Sequence, residues 1–156
     1  MMSIEAVKEL LPAGSFSHSC IVVGDIEKTY KQYAEIPGAE LTILKQTNEP
    51  EIAQVVYRGQ ATPTRARQFF VTMGGLRTEV LQPDEHPSVW AEVLKRQGGD
   101  SLHHVGFHVK SAAPIVRFFA EKGMDVLQTG SYIGGRYTYI DTIDALGMML
   151  ELLETL

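Results

Sequence analysis

The sequence predicts an α+β fold made of two βαβββ modules in a single domain over residues 1–156. Three observations predict it. Two segments of the chain resemble one another, each carries the same run of strand and helix signals, and each ends on a strand with a glutamate inside an apolar run. Module one spans about 14–84 and module two about 101–154, with a linking helix over about 86–98.

The repeat is clearest where His18-Ser-Cys-Ile-Val-Val23 is set against His104-Val-Gly-Phe-His-Val109. Each is a short apolar run of strand character opening with His, and each is followed by a helix N-cap residue, Asp25 or Ser111. Apolar side chains then recur at helical spacing, Ile26, Tyr30, Tyr33 and Ala34 in one and Ile115, Val116, Phe119 and Ala120 in the other, before Gly38 and Gly123 close the helices. Further strands are expected at 40–45, 52–58, 67–73 and 76–82, and at 124–129, about 132–133, 136–141 and 148–153. Between the modules, Val89, Trp90, Val93 and Leu94 share one helical face ahead of Gly98-Gly99. A short extra helix is expected within residues 1–12.

Composition narrows the function. At 156 residues and 44% hydrophobic the chain can bury a real core. A net charge of −5 with interspersed signs argues against nucleic acid as partner. No apolar run approaches the roughly 20 residues needed to span a bilayer, so no membrane partner and a cytoplasmic location are expected. Cys20 is the only cysteine, which excludes an internal disulfide and a thiolate cluster.

Any metal must then be held by His and carboxylate. Glu79 and Glu151 interrupt the apolar patterns of their strands, and a buried carboxylate needs a partner. Singly, each Glu reads first as an exposed residue on an alternating strand, and each His as an ordinary structural one. Together, His18 and Glu79 from one module and His104 and Glu151 from the other meet if the modules pack about a pseudo-twofold axis. Two neutral imidazoles and two carboxylates balance one divalent cation, Co, Ni, Mn or Zn rather than Mg, and leave positions open for substrate oxygens. The strand period turns His103 to the opposite face from His104; His108 and His86 read as supporting or surface residues.

These residues resemble the vicinal oxygen chelate superfamily of glyoxalase I, methylmalonyl-CoA epimerase, extradiol dioxygenases and antibiotic-resistance proteins. The likeness runs over about 16–154 and is carried by Phe16-Ser-His18-Ser-Cys-Ile-Val-Val, Thr78-Glu79-Val-Leu-Gln-Pro83, Ser88-Val-Trp-Ala-Glu-Val-Leu, Leu102-His-His104-Val-Gly-Phe-His-Val and Gly147-Met-Met-Leu-Glu151-Leu. It implies a glyoxalase-like fold, with the modules forming a curved mixed sheet around a metal site. Within the superfamily the chain looks most like the methylmalonyl-CoA epimerase group. That likeness implies proton abstraction α to a carbonyl through an enolate, with Glu151 as one acid/base and Glu51, in Asn48-Glu-Pro-Glu51, as the other.

Glu79 departs from the Gln common in epimerases and matches glyoxalase I, which keeps a lactoylglutathione lyase as the alternative. A non-catalytic binding or resistance protein is the alternative of another class. The substrate implied is a small acid or thioester. Arg58, Arg65, Arg67, Arg77 and Arg136 are candidate anion clamps, Arg136 in a loop context suited to substrate contact, and a homodimer with complete sites in each chain is expected.

Overall fold

The computed structural model describes residue 6 and residues 9–156. The helix expected within 1–12 lies largely outside the described residues. In chain order the elements are β1 (Phe16–Val22), α1 (Ile26–Ala34), β2 (Glu40–Leu41), β3 (Lys45–Gln46), α2 (Pro50–Ala53), β4 (Val56–Tyr57), β5 (Gln60–Ala61), β6 (Ala66–Met73), β7 (Leu76–Pro83) and α3 (Val89–Arg96). The second half continues with β8 (Ser101–Val109), α4 (Ala113–Ala120), β9 (Val126–Tyr132), β10 (Gly135–Ile140), α5 (Ile143–Leu146) and β11 (Met149–Thr155). No helix among the described residues is long and apolar enough to cross a membrane.

The strands form one curved, unclosed sheet in the order β2-β6-β7-β1-β8-β11-β10-β9-β4-β5, with β3 also on β6. Two halves are visible in that order. Counting outward from the centre, each places its first strand (β1 or β8), then its last (β7 or β11) in parallel pairing, then its third (β6 or β10) antiparallel. The two first strands meet antiparallel at the centre of the sheet, His18 opposite Gly106 and Cys20 opposite His104. This pseudo-twofold arrangement turns the inner faces of both modules toward one hollow.

Helices cover the outer faces. Asp25 caps α1 by accepting the Lys28 N–H at 3.0 Å, and Glu27 in the first turn suits the helix dipole. The buried face of α1 is Ile26, with Tyr30 and Tyr33 edge-on to the fully buried Phe69; Ala34, expected on that face, is exposed. Helix α3 packs at the end of the central strands, where Val89, Trp90 and Val93 join Cys20, Leu81 and Met149 in one core. Its start is fixed twice, by Ser88 Oγ accepting the Ala91 N–H and by Gln128 Oε1 accepting the Val89 N–H at 2.8 Å.

Several local expectations are overturned: the strand expected at 40–45 is only Glu40–Leu41 and Lys45–Gln46, and none is separate at 132–133, where β9 ends. Ser111 does not cap the second helix: Ala112 stands at the cap, and its N–H donates to Glu154 Oε1 at 2.9 Å. A carboxylate from the end of β11 thus satisfies the N–H of the cap residue itself, and no side chain caps the first turn. The strand expected over 52–58 is interrupted: Ile52 and Ala53 close the short helix α2, which begins at Pro50, where the missing N–H costs nothing, and is capped by Gln54 in the left-handed region (φ 43°). Only Val56–Tyr57 is extended, and it pairs with β9 of the other module, Val56 opposite Thr129. Residues 47–55 therefore run as a strap from β3, at the edge of module one, to β4, at the edge of module two.

Phe69 tests the outer core independently of the inner hollow. Phe69→Ala should cost about 3–5 kcal/mol in urea denaturation by leaving a cavity under α1, while the variant's metal content matches that of the parent protein.

Candidate metal centre

The four side chains singled out by the repeat converge on the inner face of the central strands. His18 Nε2 and His104 Nε2 stand 3.2 Å apart. Glu79 Oε2 lies 3.4 Å from the first and 3.5 Å from the second, and Glu151 Oε2 lies 3.2 Å from each. None is more than 6% exposed. The ligand-type atoms of His18, Glu79 and His104 all fall within 4.8 Å of one another, and Glu151 joins them through both imidazoles. Ligands held about 2.0–2.2 Å from one cation, at right angles or tetrahedrally, sit about 3.0–3.5 Å apart, so the spacing suits a bound metal.

The hydrogen bonds point the same way. Glu151 Oε2 is buried, makes no well-directed hydrogen bond, and has only the two imidazole Nε2 atoms at 3.2 Å to offset its charge, a position that a cation would satisfy. Burial on its own would lower the pKa of His18, but Glu151 and Glu79 override it and raise the imidazole to about 9. His104 is raised by the same carboxylates against a still deeper burial. Burial would push Glu79 up, and the imidazoles instead bring it down to about 2; Glu151 is lowered for the same reason. Without a metal the cluster is an ion-pair network with protons in the cation's place.

The strand ladder slips by one residue just ahead of each histidine: between Phe16 and His18 on β1, and on β8 at His103, which has no Cα partner between Leu102 and His104. Such bulges break the alternation of faces. In both cases the preceding side chain returns to the Nδ1 of its histidine, Ser17 Oγ at 2.9 Å from His18 and His103 Nδ1 at 2.8 Å from His104. This corrects the expectation that His103 faces the opposite side. For the Nε2 lone pairs to face a cation, each Nδ1–H must donate, to Ser17 Oγ and to His103 Nδ1. Burial and neighbouring His104 lower the His103 pKa to about 3, so it is a neutral imidazole, and its Nδ1 accepts that proton when its own proton is on Nε2.

Room at the centre depends on Gly106. A Cβ there would stand 2.8 Å from Glu151 Oε2 and 2.9 Å from His18 Cε1. The residue at the equivalent position of module one is Cys20, fully buried opposite Glu79, with its thiol pKa pushed up by burial and the nearby carboxylates.

A cavity of about 670 Å³ opens from the cluster. Trp90 and Tyr139 form part of its wall, tied by a 3.1 Å hydrogen bond from the indole N–H to the phenol oxygen, and Thr47, Asn48, Ala53 and Val55 of the strap form another part. His108 is exposed and lines the cavity, whereas His86 lies in a turn, 4.0 Å from Glu85. Glu51 is exposed in the first turn of α2 and is not among the lining residues.

Four of the five candidate clamps are otherwise engaged. Arg58 pairs with Glu92, Arg65 with Glu49, Arg67 with Glu27 and Arg136 with Glu154. Arg136 lines a separate shallow groove on the outer side of β10, away from the cluster, so its loop context does not bring it to the main cavity. Only Arg77 of the five lines that cavity. The supporting roles of Ser17 and His103 were hidden from a two-residue period by the bulges. A His immediately before a candidate His ligand was their one visible signal.

Residues 17–140 match the family model of the glyoxalase/bleomycin resistance protein/dioxygenase superfamily. Over 142 residues the chain is 25% identical to the mitochondrial methylmalonyl-CoA epimerase of Bos taurus, covering 89% of this chain and 73% of that one. The fold is similar to that of methylmalonyl-CoA epimerase from Mycobacterium tuberculosis (TM-score 0.61, 18% identity, covering 100% of this chain and 93% of that one). It is also similar to that of a Streptomyces coelicolor methylmalonyl-CoA epimerase variant solved with 2-nitronate-propionyl-CoA (TM-score 0.55, 20% identity, 90% and 96%). With the repeat, the sheet order and the family match in agreement, the chain belongs to the glyoxalase/bleomycin resistance protein/dioxygenase superfamily.

Proposed function

We propose that this protein is a metal-dependent epimerase of the methylmalonyl-CoA epimerase type, removing and returning the proton α to a carbonyl in a small acid or thioester. The observation that carries the reading is the convergence of two imidazoles and two carboxylates at the base of a cavity of ligand size. In this reading residues 1–156 act as one domain, with modules over about 14–84 and 101–154 joined by the link at 86–98.

His18, Glu79, His104 and Glu151 would hold a divalent cation such as Co, Ni, Mn or Zn, which supplies a Lewis acid that favours the enolate form of a bound carbonyl compound. Ser17 and His103 orient the two imidazoles. The lowered pKa of Glu151 keeps it ionised at neutral pH, able to accept a proton from a substrate carbon above it. Inversion needs a second acid/base on the other face, and the reading gives this to Glu51. Since Glu51 stands outside the cavity lining, that role requires α2 to turn inward over the substrate. All four donors come from one chain, so a homodimer, which the reading retains together with a cytoplasmic location, is not needed to complete the site.

The test is metal analysis followed by solvent-deuterium exchange, monitored by NMR, on methylmalonyl-CoA and on the methylglyoxal–glutathione adduct. Exchange in the first is the expected result. Exchange in the second alone would make the protein a lactoylglutathione lyase, a reading that Glu79 favours, and metal without exchange in either would point to another substrate with an acidic α-proton.

Glu151→Gln should lower exchange by at least about a hundredfold, the usual loss when a general base is removed; parent-level exchange would take it out of the chemistry. Glu51→Gln should leave metal content unchanged and slow epimerisation to a similar degree. Full activity in that variant would pass the second proton site to a group already in the cavity.

Metal uptake must also displace protons. His18 in the metal-free protein is held near 9, above its unfolded value, so at pH 7 it is charged and must lose its proton to become a ligand. Apparent metal affinity should therefore rise with pH, by at least about tenfold per unit, and level off above about 9. In the metal-free protein the stabilisation from charged His18 runs the other way: it is complete below the unfolded imidazole pKa and lost as pH rises through about 9. Calorimetric titration in buffers of different ionisation heat measures the proton release; affinity independent of pH would contradict the assignment.

A further inference from the structure

Charge is unevenly distributed in the main cavity. Its carboxylates, among the described residues, are Glu79 and Glu151, and both lie against the imidazole pair; the exposed part of its wall carries Lys45, Arg77 and His108. The chain has seven arginines, and Arg58, Arg65, Arg67, Arg96 and Arg136 each pair with a carboxylate. Arg117 has no ion pair among the described residues, but it lies on the outer helix α4. Arg77 likewise has none, and it faces the cavity.

Its position is defined. The guanidinium carbon lies 4.2 Å from the ring centroid of Phe70, and the same ring packs edge-on against His18 at 5.5 Å. Arg77 is two residues from Glu79 on the same strand, which spaces their backbones by about 7 Å along one face. Stacking on an aromatic ring holds a guanidinium by its flat face and leaves the N–H edge free to grip a planar or tetrahedral oxyanion with two hydrogen bonds. A stacked, unpaired arginine next to a centre that already supplies the carboxylates is thus a built subsite for negative charge.

We propose that Arg77 is a specificity-determining residue that binds a second oxyanion group of the substrate, carboxylate or phosphate, remote from the reacting carbon. The protein would then act on molecules negatively charged at a distance from the metal-bound end, and would discriminate against analogues lacking that charge. The inference rests on the cavity being the substrate site of the proposed metal enzyme.

The test is calorimetric binding, on metal-loaded protein of measured metal content, of two pairs of probes: glutarate against butyrate, and 4′-phosphopantetheine against pantetheine. Within each pair only the oxyanion differs. In the parent protein the member with the additional oxyanion in at least one pair should bind about tenfold to a hundredfold more tightly, the range for a charge-assisted bidentate contact, and that pair names carboxylate or phosphate as the source. Arg77→Ala should abolish the difference with the affinity for butyrate or pantetheine unchanged, and Arg77→Lys should retain part of it. The proposal is overturned if neither pair is discriminated by the parent protein, if Arg77→Ala keeps the discrimination, or if it weakens both members of a pair equally. Metal content and deuterium exchange report separately on the metal enzyme, so a protein that exchanges no substrate yet discriminates through Arg77 would sink that reading and leave Arg77 as the oxyanion subsite of a binding cavity.

Discussion

Two carboxylates buried side by side repel one another and lose the solvation of water, and the centre of this sheet is built around offsetting that cost. Glu79 and Glu151 arrive on strands that flank the central pair, and the two imidazoles between them are the groups that make their burial tolerable. A divalent cation would replace the imidazole protons as the compensating charge. The antiparallel seam of β1 and β8, the parallel attachment of β7 and β11, and the absence of a side chain at Gly106 all serve to bring four donors to one spot.

The two modules solve the same local problem with different residues. Each histidine follows a slipped residue that reaches back to its Nδ1, a hydroxyl in one case and an imidazole in the other. Serine turns its hydroxyl to donate or accept, whereas neutral His103 must shift its own ring proton to do the same. Cys20 and Gly106 are likewise equivalent in register but unequal in bulk, and the space left by the glycine lies against Glu151, the carboxylate given the proton-transfer role. Symmetry positions the ligands, and departures from it separate their duties.

Much of this was legible in the sequence because repeated patterns survive translation into structure. The His-led strands, the cap at Asp25, the helix from Val89 and the Glu-bearing final strands all express local rules, alternation, capping and helical spacing, which their surroundings reinforce. What was not legible depended on non-local partners. Glu154, from far along the chain, bonds the start of the helix that Ser111 was expected to cap, the bulge at His103 broke the period used to assign its face, and Val56 found its pairing partner in the other module. Nor does an arginine's neighbourhood in sequence reveal its counter-ion: Arg65 and Arg67 are two residues apart yet reach Glu49 and Glu27, on separate elements.

The strap that leaves module one to form the outer strands of module two makes the halves structurally interdependent. Hairpin β4–β5 is encoded by the first half but shields the edge of β9 in the second, so a second half expressed alone would present an open strand edge as well as a bare inner face. Cutting the connection at Gly98–Gly99 would thus create two fragments with several matching surfaces, each holding half of the donors. Reassembly from such pieces would be self-reporting, since neither fragment on its own carries both histidines or both carboxylates.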